Sequence, residues 1–290
     1  MKIATKLSER IEDLPTKASP RMHLGASEIG TSCDLEAWLG FRWVTKLTLT
    51  AKQARLLKRG DREETVFEDL LREVGCTVFT KDVTTGEQFR ILDCNGHFGG
   101  SLDGIVLGVE DYPNEWMLSE FKTSEYKVFR QLYGYDGKTR RYDRTKGKGV
   151  KVVQPKHYGQ MQIYMHHKGL KKALYCCVNK NDDMLYFEIV DYDPNCIPKL
   201  QERAKQAIFS PTRPKRITNK PGDFRCIFCK HSGVCQLGET PAINCRTCIN
   251  VEMLDDGKWQ CGLTNEPKDK KGLLNACNKY QLNRAITETQ

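Results

Sequence analysis

Apolar and polar positions follow no regular spacing at the start of the chain, and residues 1–22 read as a polar, irregular segment. Residues 27–43 (SEIGTSCDLEAWLGFRW) then read as a capped helix with aromatic residues near its end. The clearest helical pattern spans 52–74. Val66, Phe67, Leu70, Leu71 and Val74 recur on one face, and Gly75 is suited to terminate the helix. Beyond it the period shortens to that of strands, with extended runs at 76–82, 88–94, 97–109 and 115–122. Regular spacing returns with a helix at 155–168, strands at 172–178 and 184–190, and a helix at 194–208. A helix, a meander and further helices predict an α/β domain. From 209 onward proline, glycine and cysteine replace the periodic pattern, so small metal-stapled units are expected there.

One stretch interrupts this order. Residues 131–153 carry Lys138, Arg140, Arg141, Arg144, Lys146, Lys148 and Lys151, with Tyr133, Tyr135 and Tyr142 interleaved and glycines between. They read as a mobile basic loop or a β-ribbon. Its cations would neutralise phosphates and its tyrosines would stack on unpaired bases. A second basic run, 212–216, reads as linker.

The charge of the whole chain points the same way. Its 290 residues have a formal net charge of +9, and such a balance favours polyanionic partners. Thirteen cysteines are many for this length, and the number is odd. The N-terminal MKIATKLSERIEDLPTK lacks the apolar core of a secretory signal, and no run is long enough to span a membrane. A cytoplasmic, reducing location is therefore expected, where clustered cysteines bind metal rather than form a disulfide framework.

The sharpest chemical signal is Asp103, in the Gly-rich run GGSLDGIV, followed by Leu118-Ser-Glu-Phe-Lys122. Glu120 and Lys122 are two residues apart on a predicted strand, so they share a face with apolar Leu118. An isolated E-x-K is usually a solvent-facing ion pair; the Gly-rich and apolar context favours an inward one. Two carboxylates and a backbone carbonyl are hard oxygen donors that suit Mg²⁺ or Mn²⁺. A lysine beside them can orient water or stabilise developing charge.

The order Asp103…Glu120-Phe121-Lys122 resembles the PD-(D/E)XK nuclease motif, with Leu102 in place of the usual proline. Gly60-x-x-x-Glu64 resembles the first motif of the RecB-like and phage exonuclease branches, with Asp61, Glu63 and Glu68 as competing acids. Gln160-x-x-x-Tyr164 resembles the Q-x-x-x-Y motif of RecB-like nucleases, and its spacing puts both side chains on one helix face. The resemblance implies a restriction-endonuclease-like core, a mixed central sheet flanked by helices. It implies Mg²⁺ or Mn²⁺ held by Glu64, Asp103, Glu120 and the Phe121 carbonyl. Lys122 would act on the water or the transition-state charge, and Gln160 and Tyr164 would donate to a DNA phosphate.

Two cysteine sets complete the picture. Cys226, Cys229 and Cys235 form C-x2-C-x5-C, and Cys33 lies far upstream. Taken together they resemble the iron–sulfur subset of RecB-like nucleases, which includes AddB and the CRISPR-adaptation nucleases. The resemblance implies a 4Fe–4S cluster on these four residues; zinc is the alternative that the spacing leaves open. The link would close about 190 residues of chain, worth about 4–5 kcal/mol against the unfolded state. Cys245, Cys248, Cys261 and Cys277 have the spacing of a structural zinc site, with Leu254 and Trp259 to pack it, although cross-ligation between the sets is open. Cys76, Cys94, Cys176, Cys177 and Cys196 read as core or near-surface thiols.

The expected organisation is thus an irregular 1–22, a nuclease domain over 23–236 and a zinc module over 237–290. The expected activity is exonucleolytic hydrolysis at DNA ends or single-stranded regions in recombination, repair or replication, in a phage or prokaryotic setting, with a recombination or replication protein as partner. A structure-specific or single-strand endonuclease, a non-catalytic DNA-binding scaffold and a CRISPR-adaptation nuclease are the alternatives.

Overall fold

The computed structural model describes residues 5–14, 16 and 19–287. In chain order the first elements are helix α1 (Thr5–Glu12), strand β1 (Leu24–Gly25), α2 (Asp34–Phe41), α3 (Ala51–Glu73), β2 (Thr77–Phe79), β3 (Arg90–Asp93), β4 (Phe98–Ser101), β5 (Gly104–Leu107) and β6 (Met117–Ser124). Then come α4 (Tyr126–Tyr133), β7 (Tyr135–Asp136), β8 (Arg141–Tyr142), α5 (Gly149–Val153), α6 (Pro155–Lys168), β9 (Lys172–Asn179), β10 (Leu185–Asp191) and α7 (Ile197–Phe209). The C-terminal part has α8 (Ser232–Gln236), β11 (Val251–Met253), β12 (Trp259–Cys261) and α9 (Lys270–Leu274). They fold as two compact units, each assembled from several chain segments. One comprises 1–19, 48–90 and 101–194; the other comprises 20–47, 91–100 and 195–290.

The first unit is built on a mixed sheet of order β10-β9-β6-β5-β2. β2, β5 and β6 form an antiparallel meander without the expected strand at 88–94, which pairs in another sheet as β3; β6 and β9 pair in parallel, and β9 and β10 pair antiparallel. Helix α3 starts with a capping box, Thr50 to Gln53, and ends at Gly75, whose positive φ of 94° admits the closing bond from Cys76 N–H to the Leu71 carbonyl at 2.9 Å. Phe67 and Leu71 enter the core with Val106, Met117, Phe121 and Leu174. Val66 and Val74, expected on the same face, are 47% and 76% exposed, so the buried stripe is narrower than the apolar pattern. Residues 5–12, expected to be irregular, form the exposed helix α1.

The run 97–109 is not one strand. It bends at Leu102 and Asp103, so β4 joins a small sheet with β1 and β3 while β5 joins the main sheet. The helix expected over 27–43 forms only at Asp34–Phe41, after one short turn at Ala26–Glu28. Local bonding stops it from starting earlier: the Thr31 hydroxyl accepts from Cys33 N–H at 3.2 Å and donates to Glu36 Oε2 at 2.5 Å. In this second unit Leu35, Trp38, Leu39 and Val44 pack with Val234, Cys235 and Ile286. Among the described residues, no helix is long and apolar enough to cross a membrane.

Candidate active site and cysteine clusters

β6 lies at the centre of the main sheet and is buried from Met117 to Phe121. Alternation sends Met117 and Phe121 into the core and Leu118, Glu120 and Lys122 to the other face. The Phe121 ring stacks on Phe67 at 5.5 Å, which ties the strand's register to α3. Asp103 sits in the bend rather than within a strand. The next residue must be small: a Cβ at Gly104 would lie 2.8 Å from Ser119 Oγ and 2.9 Å from the Phe79 carbonyl. The close approach lets Phe121 N–H donate to Asp103 Oδ2 at 2.8 Å. Lys122 Nζ lies 2.5 Å from Glu120 Oε1 and 3.5 Å from Asp103 Oδ2, and donates to the Phe121 carbonyl at 3.0 Å. The E-x-K pair is therefore the inward one.

Burial pushes the Glu120 carboxyl above the usual range; Lys122 opposes this, and Asp103 and Glu64 add to it. Burial works against the charge of Lys122 too, but Glu120 and Asp103 outweigh it and hold its proton more firmly than in an ordinary lysine. Burial, followed by the Asp103 carboxylate, pushes Glu64 up to about 7. The helix acids differ in their surroundings. Glu63 pairs with Arg59 at 3.3 Å and Glu68 with Arg72 at 3.3 Å, whereas Glu64 feels Asp103 and Lys122.

Helix α6 presents Gln160 and Tyr164 on one face, as their spacing predicts. Both are buried, and Gln160 Nε2 donates to the Tyr164 hydroxyl at 3.4 Å. Burial and the charge of Glu120 hold the tyrosine's proton above the ordinary range. The sequence reading missed His157, one turn earlier. Its Nδ1 is 2.9 Å from the hydroxyl of Tyr175, the residue that pairs with Glu120 across β6 and β9. Burial, with Lys122 adding, pushes the imidazole down to about 3, so it is neutral at ordinary pH. The i, i+3, i+7 spacing of His157, Gln160 and Tyr164 was the available signal. His97, treated as a strand residue, is a buried core group of the second unit, with Nε2 2.7 Å from the Leu254 carbonyl.

Among the described residues, no group of three or more His, Cys, Asp or Glu side chains is disposed so that it could hold a metal ion as it stands. The local chemistry nevertheless fits a hard cation. Glu120 is fully buried, and its Oε2 has no hydrogen-bond partner among the described residues. A cation would satisfy that atom, and Asp103 and Glu64 supply further oxygen donors. The Phe121 carbonyl, the fourth expected ligand, is engaged by Lys122.

The basic segment is an ordered ribbon. β7 and β8 pair Tyr135 with Tyr142 and Asp136 with Arg141. The tyrosines build its small core: Tyr142 packs on Phe129, Tyr133 and Tyr135 at 5.9, 5.2 and 5.5 Å. Gly134, at φ 90°, is required there, because a Cβ would lie 2.1 Å from the Asp143 carbonyl. Lys138, Arg140, Arg141, Arg144, Lys146 and Lys148 are exposed, although Lys146 pairs with Asp136 at 2.5 Å and Arg144 lies over the Tyr133 ring at 5.0 Å.

Both cysteine quartets come together within the second unit. Cys33, Cys226, Cys229 and Cys235 line one cavity of about 20 Å³. Burial pushes the Cys229 thiol up, and the neighbouring Cys33 and Cys226 add to it. Cys245, Cys248, Cys261 and Cys277 line a second cavity of about 240 Å³. Backbone N–H groups of Leu263 and Thr264 hold the Cys261 thiol below its ordinary range, which favours a thiolate ligand. Between Cys245 and Cys248, buried Arg246 lies over Phe41, Trp43 and Trp259 at 4.2, 4.5 and 4.2 Å and donates to the Met22 carbonyl at 3.0 Å. Trp259 is buried as expected; the arginine anchor was not foreseen.

No protein-family model matches the chain. No curated protein matches it either. Among solved structures, it is similar at 17% identity to LHK-Exo in complex with dAMP, over 64% of this chain and 86% of that one, with a TM-score of 0.41. The alkaline exonuclease LHK-Exo from Laribacter hongkongensis gives 16% identity over 65% and 87%, with a TM-score of 0.38. SSO0001 gives 15% identity over 81% and 94%, with a TM-score of 0.39.

Proposed function

We propose that the chain is a metal-dependent deoxyribonuclease that hydrolyses phosphodiester bonds, acting as an exonuclease on DNA ends in recombination, repair or replication. The observation that carries the reading is the buried Glu120, one oxygen unpartnered, beside Asp103, Glu64 and the clamped Lys122. Asp103, Glu120 and Glu64 would hold Mg²⁺ or Mn²⁺, joined by the Phe121 carbonyl once Lys122 releases it. When bound, the ion supplies Lewis acidity toward the phosphate. Lys122, whose proton is held firmly by Glu120 and Asp103, can orient the attacking water or donate to charge developing on the phosphate oxygens. Gln160 and Tyr164 can exchange their mutual bond for bonds to the phosphate. The exposed cations of the ribbon bind flanking phosphates, while Tyr142 contributes packing.

The two cysteine quartets are proposed as metal centres. The second suits zinc. For the first, a four-iron cluster follows from the resemblance, and zinc is the alternative that the same four thiols allow. Iron and zinc content of an anaerobic preparation decides between them. For the activity, Mg²⁺-dependent release of acid-soluble nucleotides from linear DNA is expected, and its loss in Asp103→Ala and Lys122→Ala. Cutting of closed circular DNA would instead make the protein an endonuclease. If the wild type cleaves nothing while both variants bind DNA normally, the catalytic assignment fails and a DNA-binding scaffold remains.

A further inference from the structure

The loop that carries three of the first four cysteines has an outer face as well as an inner one. Its backbone is wound as successive tight turns: Cys226 N–H bonds the Asp223 carbonyl at 2.8 Å, Cys229 the Cys226 carbonyl at 3.0 Å, and Ser232 the Cys229 carbonyl at 3.0 Å. Asp223 locks the turn from below by accepting from the Arg225 amide at 3.0 Å and from its guanidinium at 2.9 Å. The winding turns the thiols of Cys226 and Cys229 toward the cavity. It sends Phe224, Ile227 and Phe228 outward, 79%, 61% and 98% exposed. Leaving two phenyl rings in water is unfavourable, so a fixed scaffold that does so marks an interaction site.

The surroundings indicate what covers it. Between 212 and 230 the chain has Arg213, Lys215, Arg216, Lys220, Arg225 and Lys230 against a single acid, Asp223. Of these, Lys215, Lys220, Arg225 and Lys230 are exposed; Arg225 pairs with Asp223 at 2.9 Å and Lys230 with Glu28 at 3.0 Å, so phosphates would exchange for those carboxylates at two of the four. Three apolar side chains offer on the order of 500 Å², below the roughly 800 Å² per partner of a stable protein interface. Phenyl faces amid excess cations instead match unpaired nucleotides, whose bases stack without regard to sequence while lysines take the phosphates.

We propose that this face is a stacking platform for single-stranded nucleic acid: Phe224 and Phe228 receive bases, and Lys215, Lys220, Arg225 and Lys230 receive the flanking phosphates. It rests on the reading of the chain as a nuclease of DNA ends and gives that reading a way to grip a frayed or resected strand. It does not depend on which metal the thiols hold.

The test uses the full-length protein and a fluorescein-labelled oligo-dT, with Ca²⁺ in place of Mg²⁺ or Mn²⁺ and no chelator, so that binding is read without cleavage and without stripping the cysteine sites. Phe224→Ala with Phe228→Ala should weaken binding by about tenfold or more, since one base stack is worth roughly fivefold at least. Phe→Trp at both positions should keep the affinity, and Phe→Leu should lose it as alanine does. The exposed rings make all these changes neutral for melting temperature. Unchanged binding in the alanine pair overturns the platform. So does rescue by leucine, which would show simple apolar docking. The same proteins assayed with Mg²⁺ on linear duplex separate the two ideas. If the nuclease reading fails, none cleaves, yet the binding difference persists. If the platform fails, cleavage persists and binding is equal throughout.

Discussion

The two units solve the problem of holding charge and reactive groups in place by different means. In the first, a central strand buried on both faces fixes Glu120 and Lys122, and a stacked aromatic pair sets its register. Its polar groups hold one another: lysine, two carboxylates and a carbonyl form a closed set with one atom left over. In the second, the C-terminal elements are short turns and two-stranded pairs, and the thiols ring two cavities instead of bonding to one another. Among the described residues no cysteine is in a disulfide. The first unit should therefore keep its shape without its cation. The second should depend on the metals proposed for its thiols, because turns of this length bury little apolar surface of their own.

The largest effect expected from breaking this contrast is in the second unit. Loss of the bridge from Cys33 to Cys226, by chelation or by Cys33→Ser, should remove about 4–5 kcal/mol. Hydrogen exchange would show segments 34–41 and 232–236 losing protection while β6 and β9 keep theirs. Equal loss in both units would sink the distinction. Next comes the buried pair. Lys122→Met leaves Glu120 unpaired in the interior and should cost about 3–5 kcal/mol. Glu120→Leu combined with Lys122→Met removes both charges and should melt above the single variant, although neither should cleave DNA. A double variant that melts below the single one would show that the pair is not self-contained.

A smaller effect concerns protons. His157 is neutral in the folded protein at about 3, against about 6.5 for a free imidazole. The unfolded chain therefore binds a proton first as pH falls. The stabilisation is fully present above about 6.5 and is lost as pH drops toward 3, with a slope of at most about 1.4 kcal/mol per unit. Melting of the wild type and His157→Gln between pH 7 and about 4.5 should show the steeper loss in the wild type. Parallel curves would mean that the ring is not held neutral.

What could be read in advance followed local rules. The 155–168 helix forms over that same range because Pro155 starts it and Gly169 ends it, both local signals. The shared face of Glu120 and Lys122 was legible because a strand's two-residue period is local too. The bend at Asp103 was not, since the run from His97 to Val109 looks continuous and only membership of two different sheets divides it. Nor was the exposure of Val66 and Val74, which depends on how wide a stripe the sheet covers. His157 was overlooked because its partner Tyr175 lies on β9, and the pairing of β6 with β9 crosses the whole ribbon. Both cysteine quartets were legible as spacing, yet nothing local marked the arginine between Cys245 and Cys248; Phe41 and Trp43 from one segment and Trp259 from another enclose it.

The smallest effect on stability, and the most specific for binding, belongs to the ribbon. Lys138, Arg140 and Arg141 are exposed at or beside its turn, so alanine at any of them should shift stability by less than about 0.5 kcal/mol. Arg144 and Lys146 are exposed too, but one covers the Tyr133 ring and the other pairs with Asp136 and Asp143, so their removal also loosens the ribbon. On DNA the first three should act as independent phosphate contacts. Each substitution should reduce the slope of log affinity against log salt by about 0.9 on duplex, equally for unrelated sequences. Salt titrations of Arg140→Ala and Arg141→Ala, alone and combined, would measure this. A combined variant with the wild-type slope would take the ribbon out of DNA binding and leave its cations as ordinary solvated surface. Slopes that fall additively would instead make it the phosphate-binding arm of the first unit, working on an aromatic core that needs no metal to stay folded.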